Sequence, residues 1–257
     1  GREGGTGGGV RVVYSPLEAL ELGAAVRGRR VVFLGIGFET TAPTSAAAVL
    51  EAEANGLENF LLLSAHKLMK PAMSALVDEG VAIDGYLCPG HVSVVTGTAM
   101  YEELCRRYGV SCVVSGFEPL DILQALYRLI AQIESGTPEV EIAYRRAVSA
   151  AGNRRAQETM RQVFEPCDSR WRGLGSIPES GLRPRAAYAA HDARRALPVS
   201  VPEGREPAGC ICGTILKGQA EPTSCPLFGG LCTPEHPVGA CMVSSEGTCA
   251  AYYRYSA

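Results

Sequence analysis

Short apolar runs alternate with amphipathic stretches of about ten residues through the first half of the chain. Five runs have strand length and β-branched or aromatic character: 10–14 (VRVVY), 31–36 (VVFLGI), 60–64 (FLLLS), 83–88 (IDGYLC) and 110–115 (VSCVVS). The second is apolar on both sides of the alternation, which predicts a strand buried on both faces. Between the runs the spacing predicts helices. One opens at Ser15-Pro16, with Leu17, Leu20 and Ala24 as its apolar face. A second is capped by Thr44 and stops at Gly56, and a third runs from Pro71 to Glu79. Two more cover about 98–108 and about 120–134. Strand and helix in regular alternation predict βαβ units and an α/β fold: a parallel sheet with flanking helices.

After Gly136 the pattern changes. Residues 150–164 keep helical spacing, with Ala156, Met160 and Val163 on one face, and 167–202 read as loop-rich. A division near residue 145 follows, with an α/β domain over 10–145 and a helical, cysteine-rich domain over 146–257. Residues 1–9 (GREGGTGGG) read as a flexible lead or the cut edge of a longer protein.

On this scheme the unusual polar residues gather at the carboxyl ends of strands, where open α/β sheets bind ligands. Glu39, Thr40 and Thr41 follow the second strand, His66 the third, Pro89-Gly90-His91 the fourth and Glu118 the fifth. The tripeptide Gly-Phe-Glu occurs at two of these ends, 37–39 and 116–118. A plainer role for Glu39, Glu118, Thr40 and Thr41 is helix capping. Lys67 and Lys70 are placed to meet a small anion or to face solvent.

Six of the ten cysteines, Cys210, Cys212, Cys225, Cys232, Cys241 and Cys249, lie in the C-terminal segment among prolines and glycines. Such a segment buries little apolar core, so a metal or covalent links must hold it. The spacing Cys212-x12-Cys225-x6-Cys232-x16-Cys249 suits four thiolates around a cubane iron–sulfur cluster. Zinc and disulfides stay open as alternatives. Cys88, Cys105, Cys112 and Cys167 read as packing residues, and His191 and His236 as loop histidines.

The formal net charge of −3 is spread along the chain, and no basic block points to nucleic acid. No apolar run approaches the roughly 18 residues of a membrane helix. No secretory signal pattern is visible, so the cytoplasm is the expected compartment, and there clustered thiols bind metal more often than they pair.

The stretches FLGIGFETTAPT, LCPGHVSVVTG, SGFEPLDILQAL, AGNRRAQ, WRGLGSIPESG, CPLFGGLC and MVSSEGTCAAYYRY together resemble the HypD family of hydrogenase maturation proteins, from about residue 10 to residue 255. The resemblance implies a scaffold on which the iron of [NiFe]-hydrogenases receives two cyanides and one carbon monoxide. A HypC-type chaperone and a HypE-type cyanide donor are the implied partners, and a [4Fe–4S] cluster the implied cofactor. By motif its ligands are Cys212, Cys225, Cys232 and Cys249, with Cys241 left out. Glu246, in the SSEG motif, is implied as a functional acid, and Glu39, Thr40, His66, His91 and Glu118 match the family's cleft motifs. Family members also begin with another α/β domain, carrying a Cys-Gly-Gly-His type motif and a Cys-Pro-x-Cys pair. Neither occurs here. The expectation is a redox-active scaffold rather than a conventional enzyme, one that needs those thiols from elsewhere to complete maturation. A zinc-stabilised interaction module and a cluster-bearing α/β enzyme acting on a small anion are the alternatives.

Overall fold

The computed structural model describes residues 9–26, 28–79, 81, 83–200 and 206–256, so residues 1–8 of the expected lead lie outside the described residues. The elements in chain order are α1 (Pro16–Ala25), β1 (Val31–Gly37), α2 (Ala42–Ala54), β2 (Phe60–His66), α3 (Met69–Asp78), β3 (Gly85–Pro89) and α4 (Gly90–Thr96). Then come α5 (Ala99–Tyr108), β4 (Ser111–Ser115), α6 (Pro119–Ser135), β5 (Val140–Ile142), α7 (Arg154–Val163), β6 (Phe164–Trp171) and β7 (Gly175–Pro184). Four short helices complete the chain: α8 (Ala193–Ala196), α9 (Cys212–Leu216), α10 (Ala240–Val243) and α11 (Thr248–Tyr255).

The α/β class with parallel pairing and flanking helices is present, and four of the five expected strands form. The fifth, 10–14, does not. It carries no regular structure, with Val10, Val12 and Tyr14 almost fully exposed. An extended segment without a ladder partner gains no backbone hydrogen bonds. The strands also divide into separate sheets. β1 and β2 form one parallel pair, and β3, β4 and β5 a second parallel sheet. β6 and β7, joined by three residues, form a two-stranded hairpin. That hairpin lies where loops were expected, because Pro166 and alternating charged residues mask its period.

The chain divides into two compact units that interleave along the sequence. The first comprises Gly1–Lys67, Asn153–Pro166 and Gly181–Val199. Its β1 and β2 run in register from Val31↔Phe60 to Gly37↔His66. α1 packs on β1, and α7 packs along α2. α2 begins at Ala42, earlier than a Thr44 cap implies. Pro43 suits the first turn, and the Thr44 hydroxyl donates back to the Thr41 carbonyl at 2.8 Å. Asn59 ties the end of α1 to the start of β2 by donating to the carbonyls of Gly23, Val26 and Arg29. His191 is not a loop residue but an anchor. It is 3% exposed, with Nδ1 2.8 Å from the Phe60 carbonyl and Nε2 3.0 Å from Glu53 Oε2.

The second unit comprises Leu68–Gly152, Cys167–Ser180 and Ser200–Ala257. Its core gathers Met73, Cys88, Tyr101, Leu104, Cys112, Val114 and Val148 around β3 and β4. Behind β4, Val113 packs with Ala125 and Leu129 of α6. α5 and α6 both end on glycines in the left-handed region, Gly109 and Gly136, the usual helix stop. In a further cluster within this unit, five of the eight buried residues are cysteines.

Candidate functional site

In the first unit, β2 ends on His66, which is 1% exposed. Its ring is clamped at both nitrogens, Nδ1 3.1 Å from Ser64 Oγ and Nε2 3.2 Å from Ser45 Oγ. Ser64 gives its proton to the Leu182 carbonyl at 2.6 Å, so it accepts from Nδ1–H, which assigns the tautomer. Burial pulls the His66 pKa down to about 4, and the ring is neutral at physiological pH. Gly35, the register partner of Ser64 on β1, makes room for it, since a Cβ there would stand 2.6 Å from His66 Cε1. Beyond β1, Glu39 is buried at 4% while Thr40 is exposed. The Thr41 hydroxyl closes the strand-to-helix turn on the carbonyls of Ile36 and Phe38, both at 3.3 Å.

In the second unit the corresponding strand ends are open. His91, in the first turn of α4, is exposed and lies against Phe117, with ring centroids 4.4 Å apart. Glu118 precedes α6 without capping it; its side chain is 78% exposed and 3.7 Å from Arg146. The two Gly-Phe-Glu strand ends therefore present their glutamates differently, one buried and one in solvent. Arg146 instead grips Asp121 through two hydrogen bonds of 2.5 and 2.6 Å and lies over the Tyr144 ring at 4.5 Å. That guanidinium pulls the Asp121 carboxyl below its ordinary pKa. Lys70 is drawn to Glu103 at 2.5 Å rather than held out for an anion.

The C-terminal segment brings all six of its cysteines together. Cys212, Cys225, Cys232, Cys241 and Cys249 are each 8% exposed or less, with Cys210 packed at the edge. Ile215, Phe228, Gly239 and Met242 close the shell around them. Gly239 is required, since a Cβ there would stand 2.6 Å from Cys210 Sγ. Cys241 is central: its Sγ lies 3.0 Å from that of Cys212 and 2.8 Å from that of Cys249. Two backbone amides already point at sulfur, Val238 N–H at Cys232 (3.3 Å) and Cys241 N–H at Cys212 (3.2 Å). Tyr252 and Tyr253 pack edge-on to Phe228, while Tyr255 of the same tail is exposed. Glu246 is exposed in the turn between α10 and α11, its N–H on Ser244 Oγ.

As a donor set these residues fit a thiophilic metal or iron–sulfur cluster. They are six free thiols, more than the four a cubane needs, inside an apolar shell. Burial pushes Cys212 and Cys241 up to about 11, so both are protonated unless a cation holds them as thiolates. Thiolates about 2.3 Å from one zinc stand roughly 3.8 Å apart around it, wider than the sulfur separations here. Among the described residues no group of three or more His, Cys, Asp and Glu side chains stands at single-metal spacing. The space between the sulfurs is about 10 Å³. The motif resemblance leaves Cys241 out of the ligand set. Its one available signal is its place between two apolar residues, Ala240 and Met242, eight residues before Cys249.

The sequence model of the HypD family, described as hydrogenase formation hypA family, matches residues 2–256. The chain is 45% identical over 257 residues to the hydrogenase maturation factor HypD of Cupriavidus necator, covering 97% of this chain and 68% of that protein. It is 45% identical over 256 residues to HypD of Azotobacter vinelandii, with the same two coverages. To HypD of Rhodobacter capsulatus it is 46% identical over 255 residues, again 97% and 68%. A match spanning nearly every residue, and taking in both the strand-end motifs and the buried thiols, places this chain in the HypD family of hydrogenase-formation proteins.

Proposed function

We propose that this chain serves [NiFe]-hydrogenase maturation as a redox scaffold. Its cargo is an iron ion acquiring two cyanides and one carbon monoxide. A HypC-type chaperone and a HypE-type cyanide donor are its partners in the cytoplasm. The observation that carries the reading is the convergence of six free thiols on one buried core within a chain matched to the family from end to end. Residues 10–145 are the proposed α/β half, and 146–257 the half that bears the cofactor.

Cys212, Cys225, Cys232 and Cys249 are the proposed ligands of a [4Fe–4S] cluster, with Cys241 as a fifth thiol among them. Such a cluster, when bound, supplies one-electron exchange. The chain's own residues set its surroundings. Ile215, Phe228 and Met242 exclude water, and the amides of Val238 and Cys241 stabilise negative sulfur. Glu39, His66, His91 and Glu118 are the proposed strand-end residues acting on the cargo iron and its ligands, and Glu246 an acid beside the cluster. In these roles neutral His66 orients through Ser45 and Ser64, whereas His91 and Glu118 face solvent.

Iron and acid-labile sulfide analysis of protein prepared without oxygen tests the reading. About four of each per chain is expected, lost in Cys225→Ala and Cys249→Ala. The same preparation should retain a HypC-type chaperone on a column. One zinc and no sulfide would replace the redox scaffold with a zinc-held interaction module.

A further inference from the structure

In the second unit β3 and β4 each run into a glycine at the carboxyl end, Gly90 and Gly116. Both make room for one ring. A Cβ at Gly90 would stand 2.7 Å from Tyr144 Cδ1, and one at Gly116 would stand 2.7 Å from Tyr144 Cδ2. The chain brings the ring there after β5, where the Ala143 and Tyr144 amides both donate to the Val114 carbonyl of β4, at 2.9 and 3.2 Å. Arg146 follows in a turn closed by the Ala147 and Val148 amides on the Tyr144 carbonyl, at 3.2 and 3.0 Å. Its guanidinium lies over the Tyr144 ring and forks onto Asp121. Asp121 is itself buried, and Gly116 leaves space for it, since a Cβ there would collide with its Oδ2. Exposed ion pairs usually gain little, because two long side chains must be ordered to make them. Here the turn, the ring and the buried carboxylate have already ordered the guanidinium. Glu118, with Oε2 3.7 Å from Arg146 Nη2, is the one partner left to order.

We propose that Arg146 is the positioning residue of Glu118: one guanidinium shared by two carboxylates, gripped by Asp121 and offered at longer range to Glu118. Asp121 sets the division. It takes two of the five guanidinium N–H groups in a bidentate fork and offsets the charge. Glu118 is thereby steered to the ends of β3 and β4 without being locked into a fork of its own, and its carboxylate stays open to a ligand at that edge. Asp121 acts on Glu118 only through Arg146, so removing Asp121 and removing Arg146 have opposite effects on it. The functional meaning rests on the role proposed for Glu118 at this strand end. The pair itself is read without any maturation activity, so either can fail alone.

The test is carbodiimide-driven coupling of glycine ethyl ester to the carboxyl groups of the full 257-residue chain, with the rate at Glu118 read by tandem mass spectrometry. Glu134, exposed near the other end of α6, is the internal control. Arg146→Gln should speed labelling of Glu118 by about threefold or more and leave Glu134 unchanged. Asp121→Asn should slow Glu118 by about the same factor, because the released guanidinium turns its fork to the remaining carboxylate. A merely structural salt bridge predicts faster labelling in both variants. The double variant should match Arg146→Gln alone. Raising salt from about 50 mM to about 1 M should bring the unsubstituted chain towards Arg146→Gln and leave that variant where it was. That comparison stands even where Asp121→Asn fails to fold. Equal labelling of Glu118 with and without Arg146, or faster labelling in Asp121→Asn at unchanged Glu134, overturns the proposal.

Discussion

His66 carries a proton-linked part of this protein's stability. Its folded pKa of about 4 lies below the 6.5 of an unfolded histidine, because burial penalises the charged ring. As pH falls the unfolded chain takes up the proton first. The contribution is therefore whole above about pH 6.5 and lost progressively as pH drops towards 4, by about 3 kcal/mol across the window. Urea unfolding at steps from pH 7 to pH 4 should show this slope, and His66→Gln should flatten it. Gly35→Ala should destabilise by about 1–3 kcal/mol in the same assay, since the new methyl meets His66 Cε1 and Leu62. The place of His66 at a strand end was legible from the apolar run before it. Its burial was not, because Gly35, Ser45 and Ser64 come to it only when β1, α2 and β2 assemble.

Among the elements, α5 and α6 divide most sharply between structural and free positions. Leu104 of α5 is 1% exposed in the core with Tyr101 and Cys112, whereas Leu123 of α6 is 63% exposed. Leu104→Ala should cost about 2–5 kcal/mol of unfolding free energy, and Leu123→Ala no more than about 0.5 kcal/mol. Chemical denaturation of the two variants side by side decides it. Helix ends were readable because Gly109 and Gly136 stop helices by local conformation alone. The segment 10–14 shows the limit of the same reading. Its β-branched alternation is a true strand propensity, but a strand needs a neighbour, and propensity does not say whether one is present. β6 and β7 are the converse, since a hairpin partner three residues away turns a polar, proline-bearing stretch into strand.

For the molecule as a whole, the thiol core should depend on what it binds. The core around α9, α10 and α11 is rich in cysteines, so on the proposed reading its folding would be coupled to metal binding. Removing bound metal should make Cys225 and Cys249 react rapidly with a maleimide, read by mass spectrometry. Cys112, 0% exposed in the core of β3 and β4, should stay unlabelled. The α/β class, most strand and helix positions, the strand-end location of the polar motifs and the gathering of thiols in one segment are all readable from the order of the amino acids. These follow from period, turn residues and spacing, which are local properties of the chain. The division of the strands into separate sheets, the burial of Glu39 but not Glu118, and the place of Cys241 between Cys212 and Cys249 emerge only in the folded chain. Each of these depends on contacts between residues far apart in sequence, and burial is a property of the assembled neighbours rather than of the residue.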